Sequence, residues 1–164
     1  MAQSQAQAGL AQDALSTANL VDDPWNRALI LVQVAQALAK AGNSLEAERI
    51  ADQITFRLPK AKALRAVAVS RVFRGEMESA EKILHDIASP EERAPILGFI
   101  ASAWARRGEL SRADQCARDA YKTAMEVPGT AARIDALLNS AEPLLTVGKN
   151  NLGAPLLGTA GRMI

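Results

Sequence analysis

Apolar and small residues along this chain recur three, four and seven positions apart, the spacing that gathers them on one stripe of an α-helix. Ala28, Leu31, Ala35 and Leu38 show the pattern. No segment alternates apolar and polar residues as a half-buried strand would. Glycine, proline, Asp and Asn interrupt the stripes at short intervals, and these breaks predict helices over 10–22, 24–41, 44–56, 59–74, 77–88, 90–107, 110–126, 129–147 and 150–162. The fold class is therefore all-α.

The stripes repeat. Gly9, Gly42, Gly75 and Gly108 follow one another at intervals of 33 residues. The same shift aligns Ala28, Ala61 and Ala94, then Leu31, Leu64 and Leu97, then Ala35, Ala68 and Ala101. Beyond the glycine it aligns Ala14, Ala47, Ala80 and Ala113, and after them Ile50, Ile83 and Cys116. Each unit reads as a first helix, a glycine turn and a second helix. Glycine there permits the left-handed conformation that ends a helix without a steric penalty. Asp23-Pro24 and Ser89-Pro90-Glu91-Glu92 place a capping side chain before a proline at the first helical position. The last interval, Gly108 to Gly148, is 40 residues, seven more than the period, which predicts a second helix about two turns longer. Pro143, Gly153 and Pro155 fall inside the last pair, where they are expected to kink or interrupt it.

A helix pair with a small residue seven before the turn glycine and alanine five after it resembles the tetratricopeptide repeat. The strings AQALAKAGNSLEAERIADQI and FIASAWARRGELSRADQCARDA carry the likeness, with Pro59 near a unit boundary. It is good over residues 9–120 and poor over 129–160. The 33-residue period and the scarcity of bulky aromatics depart from the usual pattern and leave other helical-repeat families open. The resemblance implies an α-solenoid, a right-handed superhelix of helix-turn-helix repeats, spanning residues 1–164 as one domain. Residues 1–22 would form an N-terminal half repeat or cap, and 24–56, 57–89 and 90–127 the repeats. Residues 128–164 would form a degenerate C-terminal repeat or cap.

Composition adds mainly exclusions. Hydrophobic residues make up 49% and aromatics 4%, with a formal charge of +1. Such a charge offers no global attraction to nucleic acid or an anionic membrane. A single cysteine excludes an internal disulfide and a cysteine zinc site. Cys116 stands where the other units have isoleucine, so it reads as a small buried hydrophobe. His85, the one histidine, aligns with Asp52 and Arg118 and belongs to a solvated face. Carboxylates at Glu46, Glu48, Glu91 and Glu92 suit helix first turns, and no glycine-rich loop follows a strand. No catalytic residue, metal or cofactor is expected. The N-terminus has neither a basic start nor an apolar run, and no stretch would span a bilayer, so the expected setting is cytoplasmic. Between Arg57 and Arg74 six basic residues stand with no acid, which offers a docking patch for an acidic segment or simply a solvated helix.

In repeats that this chain resembles, the first helix of each pair lines the concave face, at positions thirteen, ten, six and two before the turn glycine. These are Leu29, Val32, Gln36 and Lys40, then Lys62, Arg65, Val69 and Phe73, then Pro95, Gly98, Ser102 and Arg106. Phe73 aligns with Lys40 and Arg106, which marks its position as open to solvent. Phe99 replaces Gln33 and Ala66. The resulting candidate binding set is Val32, Gln36, Lys62, Arg65, Val69, Phe73, Phe99, Ser102 and Arg106. Related domains that clamp a chaperone's terminal carboxylate use lysine, arginine and asparagine at places held here by Val32, Gln36, Ala66, Pro95 and Phe99, so that clamp is not expected. The leading expectation is a non-catalytic interaction module (adaptor, chaperone or sensing scaffold) holding a peptide or helix, acidic and apolar, in its groove. A self-assembling solenoid joined through its ends is the alternative, and a helical-repeat nucleic-acid binder comes third.

Overall fold

The computed structural model describes residues 12–146, 148 and 150–164, and among these every regular element is an α-helix. Residues 12–19 are helical. They are followed by α1 (Pro24–Lys40), α2 (Ser44–Asp52), α3 (Arg57–Phe73), α4 (Met77–Leu84), α5 (Pro90–Arg106), α6 (Leu110–Met125), α7 (Thr130–Thr146) and α8 (Asn150–Gly161). Gly9 and Leu10 lie outside the described residues.

The helix ends follow from local chemistry. The Asp23 carboxylate accepts from the Asn26 N–H at 2.9 Å and caps α1. Gly42, Gly75 and Gly108 take φ near +80°, at 82°, 80° and 82°. The residue after each glycine donates back across the turn: Asn43 N–H to Leu38, Glu76 to Arg71 and Glu109 to Trp104, at 2.9–3.0 Å. Residues with a β-carbon are strained at those φ values, so the 33-residue glycine spacing reflects a preference set by the backbone. Ser89 departs from expectation. It precedes α5 in extended conformation, yet its hydroxyl makes no capping bond, and the first turn carries Glu91 and Glu92 at the positive end of the helix instead.

The second helices α2 and α4 end at Asp52 and Leu84, four residues short of the expected 56 and 88. The reason is Ile54 and Ile87, which are almost fully buried at 2% and 0% exposure. Their N–H groups donate to Ala51 and Leu84 at 3.1 and 3.2 Å, tightening the chain so that each side chain plugs the core beneath the loop. The following helix secures this loop. Arg27 donates to the Val21 carbonyl at 2.9 Å, Arg133 to Val127 at 3.1 Å and Arg93 to Ile87 at 3.5 Å, each reaching back six residues. Lys60 holds the equivalent place in the second unit and pairs with Asp52 at 3.1 Å.

Pro95, Pro143 and Pro155 lie within α5, α7 and α8 without ending them, so of the kink or interruption expected at the last two the interruption is absent. A helical proline deprives the carbonyl four residues earlier of its donor. Here those carbonyls belong to Glu91, Asn139 and Asn151, all exposed residues, where the loss costs least.

Packing is strictly local along the chain. Among the described helices, each touches only those one or two places away. Thus α1, α3, α5 and α7 lie against one another in succession, and each also packs on its own second helix. α6 is 16 residues long against nine for α2 and eight for α4, and it alone among the second helices meets another, α8. Ala35, Ala68 and Ala101, like Ala47, Ala80 and Ala113, are wholly inaccessible and set the close approach of the helices. Ala68→Leu inserts three carbons where no space exists. It should cost about 1–2 kcal/mol, read as a lower urea midpoint; an unchanged midpoint would mean that the buried stripe lies elsewhere.

Two contacts tie the rows together. Arg71 reaches the Glu48 carboxylate, and 33 residues later Trp104 Nε1 donates to Glu81 at 3.2 Å. The Trp104 ring also carries Arg112 over its face at 4.4 Å. The backbones of α5 and α7 approach closely: a β-carbon on Gly98 would stand 2.3 Å from the Ser140 carbonyl oxygen. No described helix is long and apolar enough to cross a membrane.

Candidate binding groove

Side by side, α1, α3 and α5 enclose a groove of about 930 Å³. The floor is apolar: Ala39 from α1, Ala66 and Val69 from α3, and Phe99 from α5. Phe73 rises from the C-terminal end of α3 and is 70% exposed, with its ring centroid 6.1 Å from that of Phe99. An aromatic side chain so exposed, beside a second half-buried ring, leaves a large apolar area uncovered in water. Helix α3 puts Lys62, Arg65, Val69 and Phe73 on one face because they are spaced three and four apart.

Six of the nine sequence-derived candidates meet here: Gln36, Lys62, Arg65, Val69, Phe73 and Phe99. The other three do not. Val32 is only 5% exposed and packs in the core beneath α3, while Ser102 is 1% exposed and donates its hydroxyl to the Phe99 carbonyl at 2.8 Å. Arg106 is exposed but lies beyond the groove lining. Pro95 and Gly98 are buried as well. At Gly98 the cause is α7, which closes on α5 and covers part of the face that the unit pattern assigns to solvent, whereas Arg106, the last residue of α5, stays exposed.

The electrostatics also differ from the simple reading of a basic run. Arg65 is bound to Glu92 at 2.9 Å, and that carboxylate is nearly buried, with 11% of its side chain exposed. Arg57 donates to the Ala88 carbonyl, Lys60 pairs with Asp52, Arg71 with Glu48, and Arg74 with Glu76 and the Gly42 carbonyl. Five of the six cations therefore hold neighbouring elements together. Lys62 is the member whose side chain has neither an ion pair nor a hydrogen bond among the described residues, and Lys40, at the other end of the groove, shares that condition. Lys40, Ser70, Arg74 and Glu92 line the groove although the candidate set omits them. Lys40 already stood among the inner-face positions, and Glu92 was hidden because its unit neighbours at that position, Asn26 and Pro59, carry no charge.

A second concavity of about 490 Å³ lies between α6 and α8, floored by Ala117, Leu152 and Leu156. Its cations are engaged locally, Arg118 with Asp114 and Lys122 with Asp119. His85 is exposed at the end of α4. Among the described residues, no three of His, Cys, Asp and Glu gather where they could hold a metal ion.

Cys116 is 9% exposed, and burial first, then the Glu81 and Asp119 carboxylates, push its thiol up to about 11. At pH 8 only about one thiol in a thousand is ionised. Iodoacetamide should therefore modify the folded chain about 100-fold more slowly than a free cysteine. Stopped labelling followed by mass spectrometry reads this directly, and reaction at the free-thiol rate would place Cys116 on the surface. Searches for related proteins find no matching family model, no matching curated protein and no matching solved structure.

Proposed function

We propose that the chain is a tetratricopeptide-like right-handed α-solenoid that acts, without catalysis, as a cytoplasmic protein-binding module. Its ligand is a peptide segment of another protein that carries apolar side chains flanked by acids. The observation that carries this reading is the groove over α1, α3 and α5, where Phe73 stands 70% exposed beside Phe99 with Lys40 and Lys62 unpaired among the described residues. Exposed aromatic anchors supply binding energy, and rim lysines steer acidic partners while leaving most of the affinity to the anchors. The repeating 33-residue geometry supports the solenoid part, since each helix packs only on its near neighbours along the chain. Arg65 contributes by holding Glu92 in place, and the positive charge available to a ligand comes from the two lysines.

Selection from a random display library on the immobilised full chain, with counter-selection on Phe73→Ala, tests the proposal. Enriched sequences should place Asp or Glu beside Phe, Leu or Ile. Enrichment of basic sequences, no enrichment, or binding of nucleic acid in preference to peptide would each refute it.

A further inference from the structure

The face of α1 and α3 that forms the groove continues past the groove's edge. Lys62, at that edge, stands one turn after Leu58 on α3 and holds the place in its unit that Leu29 holds on α1. Trp25 stands one turn before Leu29, and Leu58 takes its place in the second unit. Trp25, Leu29 and Leu58 are 45%, 43% and 45% exposed, and Phe56 meets the Trp25 ring edge-on with centroids 5.1 Å apart. Three large apolar side chains thus lie open, among the described residues, at the N-terminal ends of two packed helices. Leu58 and Phe73 are fifteen positions apart on α3, about 22 Å along its axis. One helix face therefore presents an apolar patch at each end, with Lys62 between them.

This surface suits a ligand that needs no partners for its backbone. An extended segment laid along it would bury its own N–H and C=O groups against Ala39, Ala66, Val69 and the two apolar patches. The polar side chains nearby are already engaged. Ser70 donates to the Ala39 carbonyl, Arg65 to Glu92, and Arg74 to the Gly42 carbonyl, leaving Gln36 as the uncommitted amide of the groove. An α-helix satisfies its own backbone and offers a stripe of side chains to a trough between helices. Charge sets its direction. Lys40 and Arg106, exposed at the C-terminal ends of α1 and α5, flank the Phe73 end. Asp22, Asp23 and Glu91, exposed at the N-terminal ends of the same helices, flank the Trp25 end. Acidic side chains of a ligand are drawn to the first end and repelled from the second. A helix holds acids best in its first turn, so its N-terminus belongs beside Phe73.

We infer that the occupant of the groove is an amphipathic α-helix of about four turns, running antiparallel to α3, with one apolar anchor beside Phe73 and Phe99 and a second on Trp25, Leu29 and Leu58. The inference rests on the groove being the peptide site of the proposed function, and adds the ligand's conformation, length and direction. An acid in the first turn of the ligand meets Lys40, and one near its middle meets Lys62. The second anchor lies outside the cavity between α1, α3 and α5, so a ligand shorter than about four turns reaches only one of the two patches.

The test uses a display library of random segments about 18 residues long, selected on the full chain and counter-selected on Phe73→Ala. A synthetic peptide of the most enriched sequence is the probe. Difference circular dichroism should show it gaining helix on binding, and a proline at its centre should weaken it at least about tenfold. Leu29→Gln and Leu58→Gln together, both at exposed positions, should leave melting unchanged and weaken the peptide about tenfold. Cutting the peptide to the half that needs Phe73 should erase that difference. A nitroxide on the peptide N-terminus should broaden the Val69 methyl signals, and one on its C-terminus those of Leu29 and Leu58. The absence of any Phe73-dependent sequence would sink this inference together with the groove as the peptide site. A Phe73-dependent peptide that binds without helix, tolerates the proline, binds the double variant as tightly as wild type or shows the reverse broadening would overturn the helical ligand alone.

Discussion

Gly98→Ala should destabilise the protein by about 3 kcal/mol, the upper end of what overpacking a close contact costs. One methyl group is added, but it lands 2.3 Å from the Ser140 carbonyl oxygen, and the nearest other atoms are Ser140 backbone as well. Backbone in the middle of a 17-residue helix cannot turn aside as a side-chain tip can, so α7 must move away from α5. That separation uncovers Ile100 and Leu137, both inaccessible in the native packing. Glycine inside a helix is otherwise destabilising relative to alanine by roughly 1 kcal/mol, so an ordinary helical site would gain stability from the same substitution. Equilibrium urea unfolding gives the sign at once: a rise in midpoint would show that α5 and α7 are not in contact there.

Phe73→Ala should weaken a groove-selected peptide by about 2–3 kcal/mol, the loss expected of an interface hot spot, without lowering the melting temperature. The two readouts separate because the ring is mostly in water in the free protein. Its removal takes little from the core, whereas the ligand loses its main apolar partner. Lys62→Glu should act differently, slowing association and reversing its salt dependence with a smaller change in dissociation. His85→Ala, exposed on α4 away from the groove, should leave both rates unchanged. Equal binding by wild type and Phe73→Ala would remove Phe73 from the site.

How far the sequence alone reaches can be traced in particular residues. The 33-residue spacing of Gly42, Gly75 and Gly108 reflects a conformation that only the backbone dictates, and alignment through it identified Ala35, Ala68 and Ala101 as buried. The exposed Phe73 was legible for the same reason, because lysine and arginine fill its place in the neighbouring units. What escaped was whatever depends on contacts between units. Gly98 holds a position that faces solvent in a repeat standing alone, and it is buried because α7 leans closely on α5. Arg65 read as a free cation since its partner Glu92 lies 27 residues away. The isoleucine plugs at 54 and 87 fit a helical stripe as well as a loop, so the pattern carried α2 and α4 four residues too far. Pro143 and Pro155 do not interrupt their helices for a local reason, since the carbonyls they leave without a helical donor belong to the exposed residues Asn139 and Asn151.

The claim on which the functional reading rests is that ligand enters between α1, α3 and α5. Methyl chemical-shift mapping of the full chain, titrated with a groove-selected peptide, tests it most directly. The largest shifts should fall on Ala39, Ala66 and Val69, while Ala117, Leu152 and Leu156 between α6 and α8 stay still. Shifts concentrated on that second set, or spread evenly over the molecule, would contradict it.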